Sequence, residues 1–161
     1  MNFFEMLAGD KNLVKVDSQE LENARGQLAA INRVQAVIEF SLDGTVLEAN
    51  ENFLALTGYR LDEVKGRHHS MFVDPDYRTS DVYRKFWESL ARGDFEAGQY
   101  KRIGKGGKEV WIQASYNPIH GKDGRLLKVV KYATGITQES IKKINAQREM
   151  NRILSALDST S

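Results

Sequence analysis

An α+β fold built on a single antiparallel sheet is predicted by three features of the chain. Two apolar segments, VQAVIEFS and TVLEAN, flank a tight turn at Leu42-Asp43-Gly44. The segment SDVYRKFWESLAR carries an apolar stripe of helical period, and FEAGQYKRI, EVWIQASYNPI and RLLKVVKYATGIT are extended stretches joined by turn chemistry. Five strands therefore gather at the two ends of a helical middle. The 161 residues suit one domain with short appendages, since domains typically run to about 100–150 residues. A chain of this size buries about 70% of its unfolded surface and needs no disulfide or metal staple.

Residues 1–17 begin with Phe3, Phe4, Met6 and Leu7, pass a turn-like Gly9-Asp10 and continue as LVKV, which reads as a loosely docked tail. Asp17 and Glu20 are spaced like an N-cap and its capping-box partner, and Leu21, Ala24, Leu28 and Ile31 follow at helical spacing. An amphipathic helix is expected over 18–33. After the hairpin, NENFLALTGY predicts a short helix with Phe53 and Leu56 on one face and Gly58 placed to end it. LDEVKG is a further helical turn, whereas HHSMFVDPDY reads as irregular because Pro75 biases Asp74 away from helix. The helix over 80–92 carries Val82, Tyr83, Phe86, Trp87 and Leu90 and stops at Gly93. Three strands follow, with GKGGK and HGKDGR as hairpin connections. The end returns to helix through Ile141, Ile144, Met150, Ile153, Leu154 and Leu157, and Ser159-Thr160-Ser161 is expected to fray. The segments are thus 1–33 (tail and helix), 34–138 (the sheet domain) and 139–161 (a C-terminal helix).

Composition removes several function classes. Lys and Arg total 23 against 22 Asp and Glu, a formal net charge of +1, which gives no electrostatic footprint for nucleic acid. The absence of cysteine excludes disulfides, iron–sulfur clusters, thiolate zinc and cysteinyl cofactor adducts. No apolar run approaches the roughly 20 residues of a membrane span, and the start lacks the basic and apolar regions of a signal peptide. A cytoplasmic location is the expectation.

The candidate motifs are weighed against simpler readings. IGKGGK is followed by Glu109 and a strand, so it is a hairpin turn and not a phosphate loop, which needs a Ser or Thr and an opening helix. His68 and His69 are candidate metal or haem ligands, but adjacent residues seldom converge on one ion; a capping or pocket-rim role is the alternative. No nucleophile triad or acid/base pair is discernible, and the Asp74-Pro75-Asp76 segment has turn chemistry, so no enzyme is expected. Along 109–119, Val110, Ile112, Ala114 and Tyr116 alternate with Trp111, Gln113, Ser115 and Asn117. Ala114 and Ala133 on neighbouring strands, opposite a helix bearing Tyr83 and Trp87, either leave room for a flat ligand or are closely packed alanines.

Together these residues resemble a PAS sensor domain over 35–138. The opening hairpin with Asp43-Gly44, the run AN-x-NF from Ala49 to Phe53, TGY, LDEVKG, GKGGKEVWIQASYNPI, DGR and the closing KYATGIT occur in the expected order. Gly135 stands where many members carry Asp. Within the family, HHSMFVDP, a Trp in the long helix and VWIQASYNPI are similar to cytoplasmic and aerotaxis-type methyl-accepting chemoreceptors. The resemblance implies a five-stranded antiparallel sheet with short helices on one face, flanking amphipathic helices, and an output domain outside this chain. It also implies FAD, with Asn50, Pro75, Asp76, Trp87 and His69 at matching positions. Arg102, Asn50 or Asn117 would reorient on reduction, and Tyr83, Ile112, Ala114 and Ala133 would wall the site. The resemblance further implies relay of redox or oxygen state for chemotaxis. Haem held by His69 is an alternative, since the 80–92 helix has no His; a cofactor-free dimerisation and relay module, its cavity filled by Tyr83, Phe86 and Trp87, is another. Photoadduct chemistry is excluded by the missing Cys. The apolar stripes of the terminal helices either form a homodimer or pack on their own sheet.

Overall fold

The computed structural model describes residues 3–160, and side chains over 17–160. The chain forms two compact units, 1–35 and 36–161. The first contains α1 (Phe3–Val34). This helix is continuous where a tail was expected ahead of residue 18, and Asp17 lies inside it rather than capping it. Isolated glycines such as Gly9 and Gly26 cost about 1 kcal/mol each and do not by themselves break a run of good helix formers. The expected apolar cluster at Phe3, Phe4, Met6 and Leu7 lies outside the described side chains. Leu21 and Leu28 are exposed, two turns apart.

The second unit contains one antiparallel sheet in the order β2-β1-β5-β4-β3. Its strands are β1 (Ala36–Phe40), β2 (Val46–Ala49), β3 (Glu96–Ile103), β4 (Glu109–His120) and β5 (Leu126–Gly135). The helical middle holds α2 (Glu51–Thr57), α3 (Leu61–Val64), α4 (Pro75–Arg78) and α5 (Asp81–Ala91). A 3-10 turn over His69–Phe72 interrupts the segment expected to be irregular. The C-terminal helix α6 (Gln138–Asp158) is capped by the Thr137 side chain, which accepts from the Ser140 amide.

Period-two alternation decides the faces. Along β4 the residues at 110, 112, 114 and 116 are buried while their neighbours are not. On β5, Val129, Lys131 and Ala133 face the same way, with Ala114 and Ala133 paired in register. The core collects there with Ile38, Phe40, Phe53, Phe72, Tyr83, Trp87 and Leu90.

Two glycines admit close approaches that no other residue allows. Gly44 has φ +92°, and a β-carbon there would stand 2.6 Å from His68 Nε2 and 3.1 Å from the Trp87 ring. The β1–β2 turn therefore seats directly on the α5 tryptophan. A β-carbon on Gly104 would lie 2.6 Å from the Thr57 carbonyl oxygen, which is backbone and gives little. Gly104→Ala is accordingly expected to cost about 1–3 kcal/mol by overpacking, read as a lower urea midpoint with unchanged slope.

Candidate functional site

Between the inner face of the sheet and the helices over it lies a chain of polar side chains inside an aromatic shell. His69, fully buried, starts it: the 3-10 turn that carries it is capped by His68, whose Nδ1 accepts from the Ser70 amide at 3.0 Å. With Nδ1 an acceptor, His68 Nε2–H donates to the Asp43 carbonyl at 2.8 Å, which holds the turn against the β1–β2 hairpin. His69 Nδ1 lies 2.8 Å from the Tyr83 hydroxyl and its Nε2 3.0 Å from the Tyr116 hydroxyl. Trp87 Nε1–H donates to the Tyr83 oxygen at 3.2 Å. Arg102 donates to the Tyr116 oxygen through Nε and Nη2, at 3.3 and 3.0 Å. Those two donors favour Tyr116 O–H donating onward to His69 Nε2, which places the imidazole proton on Nδ1 toward Tyr83.

Lys131 completes the cluster. It is 1% exposed, and its ammonium lies 4.9 Å from the centre of the Tyr116 ring and 5.9 Å from that of Phe53. Among the described residues, no carboxylate pairs with Lys131 or with Arg102. Burial, aided by Arg102, holds the Lys131 amine well below the usual lysine range. Burial, with Arg102 and Lys131 adding to it, keeps His69 well below the ordinary imidazole value and therefore neutral. Burial pushes the Tyr116 hydroxyl up, so it stays protonated and able to donate. A void of about 10 Å³ lies beside Lys131 and Arg102, walled by Phe53, Leu56, Thr57, Phe72, Val110, Ile112 and Ala133. That is room for about one water molecule.

Of the residues expected to hold a cofactor, the fold brings Tyr83, Trp87, His69, Arg102, Ile112, Ala114 and Ala133 together in the core. Asp76 sits exposed on α4, the short helix that Pro75 opens. Asn50 does structural work. Its Oδ1 accepts from the Phe53 amide at 3.0 Å as the α2 cap and from the Val37 amide at 2.9 Å on β1. Asn50→Ala is expected to cost about 1–2 kcal/mol through the lost cap, with α2 amides exchanging faster. Asn117 lies on the other face of β4 and donates to the Val130 carbonyl. Of the two readings of Ala114 and Ala133, room for a flat ligand or close packing, the observed space is the void of about 10 Å³ beside Ala133, and the rings over the sheet pack on one another: Phe86 meets Tyr116 edge-on at 4.9 Å, and His69 meets Trp87 at 5.3 Å. Lys131 was not foreseen, although its place between Val129 and Ala133 on an alternating strand marks it as inward. No group of three metal-binding side chains occurs among the described residues, and His69 spends both nitrogens on tyrosines.

A single antiparallel sheet whose second and third strands are joined by helices laid over a polar-aromatic interior defines a class of small α+β domains. The PAS fold model matches residues 46–133. The chain belongs to the PAS family. It is 46% identical over 130 residues to the biofilm dispersion protein BdlA of Pseudomonas aeruginosa, covering 81% of this chain and 30% of that protein. It is 29% identical over 119 residues to the aerotaxis receptor of Escherichia coli, covering 70% of this chain and 23% of the receptor. The chain spans less than a third of the length of these relatives. A structure from work on a flavin analogue in a light-oxygen-voltage domain superposes with TM-score 0.61 at 22% identity, over 78% of this chain and 93% of that one. The PAS domain of a Colwellia psychrerythraea protein does so with TM-score 0.61 at 19% identity, over 71% and 98%. Among the described residues no helix is long and apolar enough to cross a membrane.

Proposed function

We propose that this domain is a cytoplasmic sensory input module of a chemotaxis-type signalling protein, which reads the state of its interior and passes it to its terminal helices. The observation that carries this reading is the buried cluster of His69, Arg102 and Lys131 around Tyr116 without a carboxylate partner. Buried unpaired cation-forming groups oppose stability, and such perturbed groups collect at functional sites. The relative named for aerotaxis and the solved light-oxygen-voltage domain with its flavin analogue support a redox or oxygen signal with a flavin, FAD in the first instance.

The folded interior does not fit such a ring system. Ligand clefts measure about 300–1,000 Å³ against the about 10 Å³ beside Lys131. Phe86 packs edge-on against Trp87 and Tyr116 over this region, so a flavin enters beside Lys131 only if those rings move. That packing favours the second reading, a cofactor-free relay module. An absorption spectrum of the purified protein before and after dithionite separates them. Paired flavin bands that bleach on reduction support the redox sensor, a sharp near-ultraviolet band supports haem and returns attention to His69, and a blank spectrum supports the relay module.

Relay itself is tested by hydrogen exchange. If the interior is coupled to α6, Tyr116→Phe alters amide protection across 138–158 as well as on β4. A change confined to the sheet refutes relay. Met150, Ile153, Leu154 and Leu157 form an exposed apolar stripe on α6, which we assign to a second copy of the chain. Sedimentation should give a dimer, and Leu154→Glu with Leu157→Glu should give a monomer.

A further inference from the structure

The sheet ends on one side in β3, a strand of 8 residues with no strand beyond it. Its pairing with β4 fixes which backbone groups are already bonded. The Gly104 amide donates to the Lys108 carbonyl at 2.6 Å where the hairpin begins, and antiparallel hydrogen bonds alternate from there. Arg102, Tyr100, Gly98 and Glu96 therefore bond to β4, whereas Ala97, Gln99, Lys101 and Ile103 turn their amides and carbonyls to the open edge. Among the described residues no backbone group bonds to these four from that side, and the Lys101 carbonyl takes one N–H of the Arg102 guanidinium.

An open edge of this length is a template for a further strand, and the sequence of β3 matches a copy of itself. Asp94 and Glu96 stand at its entry, Lys101 and Lys105 at its exit, so an antiparallel second copy sets acid against base at both ends. With Gln99 opposite Gln99 of the partner subunit, Phe95, which is 67% exposed just ahead of the strand, faces Ile103 of the partner subunit. In that register no like charges stand directly opposite each other. Within one chain Asp94 pairs with Arg92, Lys101 with Asp74 and Lys105 with Glu63, surface pairs worth at most about 1 kcal/mol and readily exchanged. Arg148 of α6 donates to the Gln99 side chain, and the exposed apolar stripe of α6 begins just beyond it at Met150. The strand edge and the stripe are therefore neighbours that one partner can cover.

We propose that a second copy of this chain pairs with β3 in antiparallel register about Gln99, joining the two sheets edge to edge. The inference deepens the assignment of the α6 stripe to a second copy by naming the sheet edge that comes with it.

The test combines sedimentation, residue-resolved hydrogen exchange and cross-linking on the purified chain. Amides of 97, 99, 101 and 103 should slow by about tenfold or more between dilute and concentrated protein, while those of 98, 100 and 102 are protected throughout. The chain has no native cysteine, so Gln99→Cys should cross-link to itself on mild oxidation, as the Cα separation of about 5.5 Å in a hydrogen-bonded pair permits. Gln113→Cys, its neighbour on β4, should not. Gln99→Pro removes an edge N–H that the β3–β4 ladder does not use and should weaken dimerisation by about tenfold, with Gln99→Ala close to wild type; if the proline variant fails to fold, exchange and cross-linking still decide. A dimer whose edge amides stay unprotected and whose Gln99→Cys does not cross-link overturns the strand pairing and leaves the stripe assignment standing. Cross-linking and edge protection that persist in Leu154→Glu with Leu157→Glu support the strand pairing and overturn the stripe. A monomer at every concentration overturns both.

Discussion

Lys131→Met is expected to stabilise this domain at neutral pH by about 1–4 kcal/mol, the range seen when buried charged groups give way to apolar residues of similar volume. The lysine is buried against Tyr116 and Phe53 with no carboxylate to offset its desolvation. Methionine fills the same volume with an unbranched, adaptable chain. The pH dependence gives the sharper readout. Burial lowers the folded-state amine from its ordinary value of 10.5, so between the two values the unfolded chain holds more protons than the folded one. Stability then rises with pH through that window and the cost is greatest below it. Urea unfolding at about pH 7 and about pH 9 should show wild type gaining on Lys131→Met at the higher pH. A variant less stable than wild type at neutral pH, or a difference that does not move with pH, refutes this account of the lysine.

Tyr116→Phe is expected to destabilise by about 2–4 kcal/mol, with a melting temperature lower by about 2–4 °C per kcal/mol. The ring volume is retained, so packing against Phe86 and Tyr100 persists. What is lost is one oxygen that accepts twice from the Arg102 guanidinium and meets His69 Nε2. A buried guanidinium is then left with the Lys101 carbonyl as its remaining acceptor, and the neutral imidazole loses a partner. Tyr100→Phe is the control: it removes a hydroxyl from a half-buried tyrosine beside the same arginine, and a smaller loss is expected. Comparable losses in the two variants would mean that the Tyr116 hydroxyl has no special part in holding the cluster.

The elements that the sequence announced are those specified by local chemistry. Asp43-Gly44 makes the first turn because only glycine takes φ +92° with His68 and Trp87 so near. Asn50 and Gly58 bound α2 as cap and left-handed stop, and Ser80 caps α5 through the Tyr83 amide. Alternation along β4 placed Val110, Ile112, Ala114 and Tyr116 on one face before any pairing was known. The readings that changed lacked such a local signal. α1 runs on from Phe3 because nothing near Gly9 ends a helix strongly.

The sequence by itself determined the order of elements, the inward faces of the strands and the family, because turn residues, caps and periodicity act over a few neighbouring positions. Only the tertiary structure decided what those faces enclose. His69, Tyr83, Tyr116 and Arg102 are separated by 14 to 47 positions where they hydrogen-bond, and Lys131 reaches them from another strand. Whether two inward alanines leave a flat cavity or are closely packed depends on how α5 sits over the sheet, and here the space beside Ala133 comes to about 10 Å³ while Phe86 packs edge-on against Trp87 and Tyr116. Close packing is a property of volumes from distant segments meeting, which no local pattern encodes.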